Sequence, residues 1–371
     1  MTEFKADCRY FLGDKPCKFH KIDRRICENC KDYDKLKERI LLINLEFKGD
    51  VLRVTSLIKG LKKKYPNSHI TWAVEENSKT IPENNPLVDR VVIADAEAAI
   101  RFMVEEFDIL INLDKRSKAC AMASLVKAGE KKGFGLGEDG NILCFNKEAE
   151  LLYAMGLSDD IKKANKKTYQ EIIFEMADLK YKGEKPDFKL SKESLNFSKE
   201  FFKGISEKDI VIGLNTGCGS GIFPNKKWLT ENFIELAKMI DNAGMKVLLL
   251  GGPEEKERNK KIADECNFVI DSGTDNTIEN FAAILNRSNV MVTVDTLAMH
   301  IATALDVPLV VLFGVMVGNE IEIYKGEKIQ SKLDCSPCFN KNCKTNKCMI
   351  SIKPEEVFDA IKRVLHEHEK N

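Results

Sequence analysis

Residues 40–43 (Ile40-Leu41-Leu42-Ile43) form a short continuous apolar run, and after it Val51, Val54, Ile58 and Leu61 recur at helical spacing. Pro66 lies just beyond that helical pattern. Further strand-like runs fall at 70–74, 91–94 and 107–113, with a helical stretch before the last. Strands alternating with helices predict a mainly parallel sheet covered on both faces. Residues 147–180 read as helical and irregular, closing a first unit. The alternation then restarts, with strands predicted at 210–214, 246–250, 268–270, 290–294 and 309–313, and helices at 230–243, 254–264, 277–286 and 298–305. Pro354-Glu355-Glu356 opens a last amphipathic helix to about residue 368, with proline at a favoured first-turn position. The longest apolar stretch, 307–317, is broken by Pro308 and Gly314. It falls short of the roughly 20 residues that span a bilayer, so it reads as a buried strand.

This periodicity predicts an α/β protein of two doubly wound halves, divided near 185–195 around Lys185-Pro186-Asp187. A length of 371 residues suits two domains. The expected division is a Cys-rich extension at 1–36, a first domain at 37–190, a second at 191–349 and a C-terminal helix at 350–371. Folds of this kind take ligands outside the carboxyl ends of their strands, which predicts a deep cleft between the halves. Composition adds two things. Lys+Arg and Asp+Glu are both 58, a balance that argues against a general nucleic-acid binder. The N-terminal residues are polar, without the apolar run of a signal peptide, so a cytoplasmic location is expected. The twelve cysteines are then expected to persist as thiols, and clustered thiols point to metal or redox chemistry.

Four strand-to-helix turns carry candidate chemistry. In Lys48-Gly49-Asp50-Val51, glycine admits a tight turn and Asp50 sits where a helix N-cap would be. At the mouth of a cleft its carboxylate could instead take a proton from an attacking hydroxyl. Asn215-Thr216-Gly217-Cys218-Gly219-Ser220-Gly221 leads through Lys226-Lys227-Trp228 into a helix. Its glycines, hydroxyls and lysine near a helix N-terminus suit a phosphate, although such loops are often plain connections. Gly251-Gly252-Pro253-Glu254-Glu255 offers room for a flat ring and a carboxylate for ribose hydroxyls, although acidic residues commonly start helices. Asp295-Thr296-Leu297-Ala298-Met299-His300 offers a cap and, in the first helical turn, a histidine facing where an anion would sit.

Taken in order along the chain, these pieces resemble the heptosyltransferases of lipopolysaccharide synthesis. They are Gly49-Asp50-Val51-Leu52, Leu61-Lys62-Lys63-Lys64-Tyr65-Pro66, Ile70-Thr71-Trp72, Thr216-Gly217, Lys226-Lys227-Trp228, Leu249-Leu250-Gly251-Gly252-Pro253, the Asp295–His300 block, Pro308-Leu309-Val310-Val311-Leu312-Phe313-Gly314 and Cys335-Ser336-Pro337-Cys338. The resemblance covers about residues 38–365. It implies a GT-B fold, two Rossmann-like domains facing across a cleft, and an inverting transfer of heptose or a related sugar from an ADP-sugar to a hydroxyl. Carried over by position, Asp50 is the general base, and Thr216, Gly217 and Lys226 hold the diphosphate. Asp295, Thr296, Leu297, Ala298 and His300 contact phosphates and sugar, while Glu255, or Glu254 after a one-residue shift, binds ribose. No divalent cation or other cofactor is then required for catalysis. Two departures, Lys48 for a small or apolar residue and Leu297 for glycine, leave the donor sugar open. The implied acceptor is a glycan, glycolipid or protein hydroxyl met by first-domain residues, with peripheral contact at the inner membrane's cytoplasmic face and no nucleic acid as partner. Lys115, Arg116 and Lys118 suit acidic groups of an acceptor there, and suit a solvated face equally.

Two cysteine sets stand apart. Cys8, Cys17, Cys27 and Cys30 form C-x8-C-x9-C-x2-C, with His20 a substitute ligand, and Cys335, Cys338, Cys343 and Cys348 form C-x2-C-x4-C-x4-C. Four thiolates with a close pair suit zinc, iron or an iron–sulfur centre of structural kind, the plain alternative being reduced cysteines in small cores or loops. The alternatives to an active transferase are a metal-bearing nucleotide-sugar binding or regulatory protein without turnover, and a protein O-glycosyltransferase of the same fold. A dinucleotide oxidoreductase is disfavoured, since no Gly-x-Gly-x-x-Gly turn with a following acidic residue is present.

Overall fold

The computed structural model describes residues 4–45, 47–218 and 223–369. It divides into two compact units, Met1–Tyr153 with Gln170–Glu184, and Ala154–Tyr169 with Lys185–Asn371. The chain thus crosses to the second unit within the helical stretch 147–180 and passes over finally after Glu184.

In the first unit the strands are β1 (Arg39–Ile43), β2 (His69–Val74), β3 (Arg90–Ile93), β4 (Glu106–Asn112), β5 (Lys127–Leu136) and β6 (Ile142–Cys144). They form one sheet in the order β3-β2-β1-β4-β5-β6, parallel throughout except for the antiparallel β5–β6 pair. β1 lies between β2 and β4 and is covered on both faces, which is why it reads as an unbroken apolar run. Helix α1 (Lys48–Lys64) buries Val51, Val54, Ile58 and Leu61, the residues whose spacing marked it as a helix, together with Leu52 and Leu57. Helices α2 (Ala96–Val104) and α3 (Ser117–Leu125) flank β4 in sequence.

β5 and β6 were not among the expected strands. The first half of β5 is highly charged, and the fold meets those charges with backbone carbonyls of other segments. Lys131 Nζ donates to the carbonyls of Ala123 and Ser124 at 3.2 and 2.9 Å, and the buried Lys132 ammonium lies 3.4 Å from the Ala177 carbonyl. Gly133 holds φ +85°, and a Cβ there would lie 1.8 Å from the Asn112 carbonyl oxygen, so the pairing with β4 requires glycine.

The second unit repeats the plan with β7 (Val211–Asn215), β8 (Lys246–Leu250), β9 (Ile270–Asp271), β10 (Val290–Val294), β11 (Leu309–Phe313) and β12 (Gly326–Gln330). The order is β12-β11-β10-β7-β8-β9, all parallel. Its helices include α4 (Thr230–Asn242), α5 (Lys256–Glu265), α6 (Ile278–Leu285), α7 (Leu297–Ala304) and α8 (Pro354–Glu369). The last helix is part of this unit's core: Val357, Ala360, Ile361 and Val364 pack in one cluster with Phe233, Leu236 and Ile240. Both sheets follow the doubly wound order, so each has a switch point where successive connections leave in opposite directions: β1/β4 in the first and β7/β10 in the second. Among the described residues no helix is long and apolar enough to cross a membrane.

The N-terminal extension contains a short helix at Lys18–Asp23, a turn at Cys27–Asn29 and an isolated bridge between Cys8 and Lys35. No described side chain before Ile40 is buried.

Candidate active site

At the β1/β4 switch point the loop after β1 leads into α1, and the loop after β4 leads into α3. The helix begins at Lys48 with Phe47 as its N-cap, so Asp50 is not the cap that its sequence position suggested. It is the third helical residue, and its carboxylate pairs with Arg53 one turn on; the side chains are 19% and 14% exposed. The Phe47 cap makes no side-chain hydrogen bond, and Asp50 is the acidic residue of the first turn.

Sequence reasoning missed the residue that fixes this turn. Asp114, wholly buried just past β4, accepts a hydrogen bond from Leu45 N–H at 3.0 Å and from the Arg116 backbone N–H at 2.8 Å. The Arg116 guanidinium closes on the same carboxylate at 2.8 Å. Asn112, also buried, donates to the Asp114 and Phe134 carbonyls at 3.1 and 2.7 Å. An Asn-x-Asp at a predicted strand end was the available signal. Asn44, at the end of β1, is fully buried, and neither side-chain polar atom has a partner among the described residues. The three basic residues expected to meet an acceptor are engaged internally: Lys115 with the Leu152 carbonyl at 2.8 Å, Arg116 with Asp114, and Lys118 with Glu75 at 3.0 Å.

At the β7/β10 switch point the expected donor residues come together in two groups. Lys226, in a tight turn at Pro224–Lys226, places Nζ 2.9 Å from Asp295 Oδ2 and 3.4 Å from the Asp295 carbonyl oxygen. His300 Nε2 lies 3.8 Å from the other Asp295 oxygen, Oδ1. Thr296 is the N-cap of α7 and accepts from the Met299 N–H at 3.4 Å, which places Leu297 and Ala298 in the first turn. Asn215 ties the two loops together, donating to the hydroxyls of Thr293 and Thr296 at 3.0 and 3.4 Å.

The second group lies at the end of β8. Glu255 is 6% exposed, accepts the Gly252 N–H at 3.2 Å, and stands 3.6 Å from the Lys227 ammonium. A Cβ on Gly217 would lie 3.0 Å from its carboxyl carbon, so glycine there lets the β7 loop run close to this acid. Glu255 Oε1 accepts no hydrogen bond among the described residues, whereas Glu254 is exposed. The Thr216 hydroxyl is turned inward, 2.5 Å from Asn259 Oδ1. Gly219, Ser220 and Gly221 of the expected phosphate loop lie outside the described residues.

The cysteines separate in the same physical terms. Burial raises the thiols of Cys120, Cys218 and Cys266, the first to about 11, as expected of packing residues. In the C-terminal set, Cys348 is buried; desolvation raises its thiol, and the neighbouring Cys338, Cys335 and Cys343 add to the shift. Cys8, Cys17, Cys27 and Cys30 all line one cavity in the extension. Among the described residues, no three His, Cys, Asp or Glu side chains close to metal-holding distance at either set.

Residues 99–349 match the profile of glycosyltransferase family 9 (heptosyltransferase). Over 332 residues the chain is 24% identical to lipopolysaccharide heptosyltransferase 1 of Salmonella typhimurium, covering 82% of this chain and 99% of that one. A family 9 glycosyl transferase from Veillonella parvula superposes with a TM-score of 0.71 at 22% identity, over 89% of this chain and 98% of the other. The ADP-heptose lipopolysaccharide heptosyltransferase II of E. coli does so with a TM-score of 0.65 at 19% identity, over 89% and 99%. The expected GT-B fold, two doubly wound units on one chain, is the fold of these structures.

Proposed function

This chain belongs to glycosyltransferase family 9, the heptosyltransferases, and is a glycosyltransferase; from that premise we propose that it transfers heptose from ADP-heptose to a hydroxyl of a lipopolysaccharide-core acceptor, with inversion. The observation that carries this reading is the Lys226–Asp295 contact of 2.9 Å at the β7/β10 switch point, with His300 and the α7 N-terminus beside it. An ammonium and free helix-terminal N–H groups suit a diphosphate, and the carboxylate of Asp295 suits sugar hydroxyls. Glu255, buried with one oxygen unbonded, suits the ribose, and its burial favours it over the exposed Glu254.

In this mechanism Asp50 accepts the acceptor's hydroxyl proton as that oxygen attacks the anomeric carbon. The new C–O bond forms as the bond from the anomeric carbon to the β-phosphate oxygen breaks, through an oxocarbenium-like transition state. ADP departs with the bonding pair, and Lys226, His300 and the α7 N–H groups stabilise its growing charge. Arg53, paired with Asp50, keeps the carboxylate aimed, and Asp114 positions the turn that carries it. The C-terminal cysteines Cys335, Cys338, Cys343 and Cys348 would serve as a structural metal site, a reading that rests on their C-x2-C-x4-C-x4-C spacing.

Isothermal titration with ADP-heptose, ADP, UDP-glucose and NAD tests the donor assignment. Binding of ADP-heptose and ADP, with UDP-glucose and NAD much weaker, is the expected result. A folded sample that binds neither ADP compound would overturn it.

A further inference from the structure

The N-terminal extension is a fold without a core. No described side chain before Ile40 is buried, and Phe4, Leu12, Ile22 and Ile26 are exposed. Yet the segment is not featureless. Arg9 N–H donates to the Asp34 carbonyl at 2.8 Å and Leu36 N–H to the Asp7 carbonyl at 2.8 Å, drawing the two ends of the extension together. Arg9 Nε also reaches Asp89 Oδ1 at 2.7 Å, an acid that takes Lys62 at 2.8 Å and the Ile70 N–H at 2.9 Å, so the extension is moored at the β2–β3 edge of the first sheet. Such a short chain segment cannot bury enough apolar surface to offset its ordering entropy, and segments of this size are usually held by crosslinks or metal.

The same segment holds Cys8, Cys17, Cys27 and Cys30, brought from four positions in sequence to the wall of one cavity of about 520 Å³. All four are free thiols and none is buried. Cys27 and Cys30 bracket a single tight turn, with Cys30 N–H donating to the Cys27 carbonyl, the geometry that offers two thiolates to one ion. Lys5, Lys15 and Arg25 border the cavity beside Asp14 and Asp32, with Arg25 and Asp32 paired, which leaves basic groups at the wall for the negative charge of a four-thiolate complex.

We propose that Cys8, Cys17, Cys27 and Cys30 bind one divalent ion of the zinc or ferrous class, and that this ion is the core of the N-terminal extension. Four thiols lose four protons to solvent and become the four ligands; no oxidant or reductant takes part. The thiols line the cavity without closing it, so binding draws the wall inward, a movement that a segment with no packed interior permits. His20 lines the same cavity, with Nδ1 3.0 Å from the Arg25 carbonyl, and the four thiols rather than His20 form the proposed ligand set, which H20Q tests.

The test uses the full chain and does not depend on transferase activity. Metal content is measured by plasma mass spectrometry for wild type, C27S/C30S, C335S/C338S and H20Q. The expected result is loss of one equivalent in C27S/C30S, a residual equivalent in C335S/C338S that disappears when C27S/C30S is added, and no change in H20Q. Cobalt(II) titrated into metal-stripped C335S/C338S should give a thiolate charge-transfer band saturating at one equivalent, absent when C27S/C30S is added. Should C27S/C30S fail to fold, wild type stripped by chelator supplies the second arm: proteolysis should appear within residues 4–37 and be suppressed by added zinc. Unchanged metal content in folded C27S/C30S, a pair of disulfides among the four thiols, or protection of 4–37 indifferent to metal would each overturn the proposal.

Discussion

Replacing Lys226 by methionine removes the cation assigned to the diphosphate while keeping the length of the side chain. Lys226 is 14% exposed and its partner Asp295 21%, so neither charge is much screened by solvent. A hydrogen bond to a charged group contributes about 1.5–3 kcal/mol, which is roughly a 10- to 150-fold change in affinity. The ammonium already has the Asp295 carboxylate at 2.9 Å, so part of that gain is lost in sharing it. The expected loss of ADP affinity is therefore in the lower half of the range, roughly 10- to 50-fold. Stability should respond too. Asp295 keeps His300 at 3.8 Å but loses the Lys226 ammonium, costing about 1–2 kcal/mol, or roughly a 2–8 °C lower midpoint for a unit of this size. Titration calorimetry with ADP at two ionic strengths, alongside thermal unfolding, reads both effects. The salt dependence of ADP binding should be shallower in the variant. An ADP affinity within threefold of wild type, in a folded Lys226→Met protein, would refute the assignment.

Two further outcomes concern the scaffold. Burial pushes His69 at the start of β2 from 6.5 down to about 4, so the folded state favours the neutral ring. Between pH 6.5 and 4 the unfolded chain takes up a proton that the folded chain refuses; the contribution is whole above pH 6.5 and is lost as pH falls, by about 2–3 kcal/mol near pH 4. His69→Gln should flatten that part of the pH–stability profile relative to wild type, as read by denaturant unfolding. Gly133→Ala should destabilise the first unit by several kcal/mol, because a Cβ would sit 1.8 Å from the Asn112 oxygen at φ +85°. Denaturant titration with a probe in that unit checks it, and a loss below about 1 kcal/mol would contradict the close approach.

Much of this architecture could be read from periodicity because its strands are buried on both faces. β1, β8, β10 and β11 are short apolar runs, and their bounds follow the sequence closely. β5 and β12 were invisible for the opposite reason: Glu130, Lys131 and Lys132, and Glu327 and Lys328, break the apolar signal. Their charges are met by contacts distant in sequence, such as Lys132 with the Ala177 carbonyl and Arg363 with Glu327. The site shows the same division. Asp50, Lys226, Glu255, Asp295 and His300 could be named because each follows a predicted strand, where this kind of sheet takes its ligands. The Lys226–Asp295 pairing, the inward turn of the Thr216 hydroxyl and the Asp114 brace on Leu45 could not, since each depends on residues from separate connections. The capping expectation for Asp50 failed because the helix starts earlier, at Lys48.

The most direct test of the catalytic account is a single-turnover transfer assay with ADP-heptose and a lipopolysaccharide-core acceptor, comparing wild type with Asp50→Asn. The amide keeps the shape of the side chain but cannot take the hydroxyl proton. The account predicts donor affinity within about twofold of wild type and a transfer rate lower by roughly 10²- to 10⁴-fold, the range of general-base catalysis. Transfer by Asp50→Asn at the wild-type rate would contradict it.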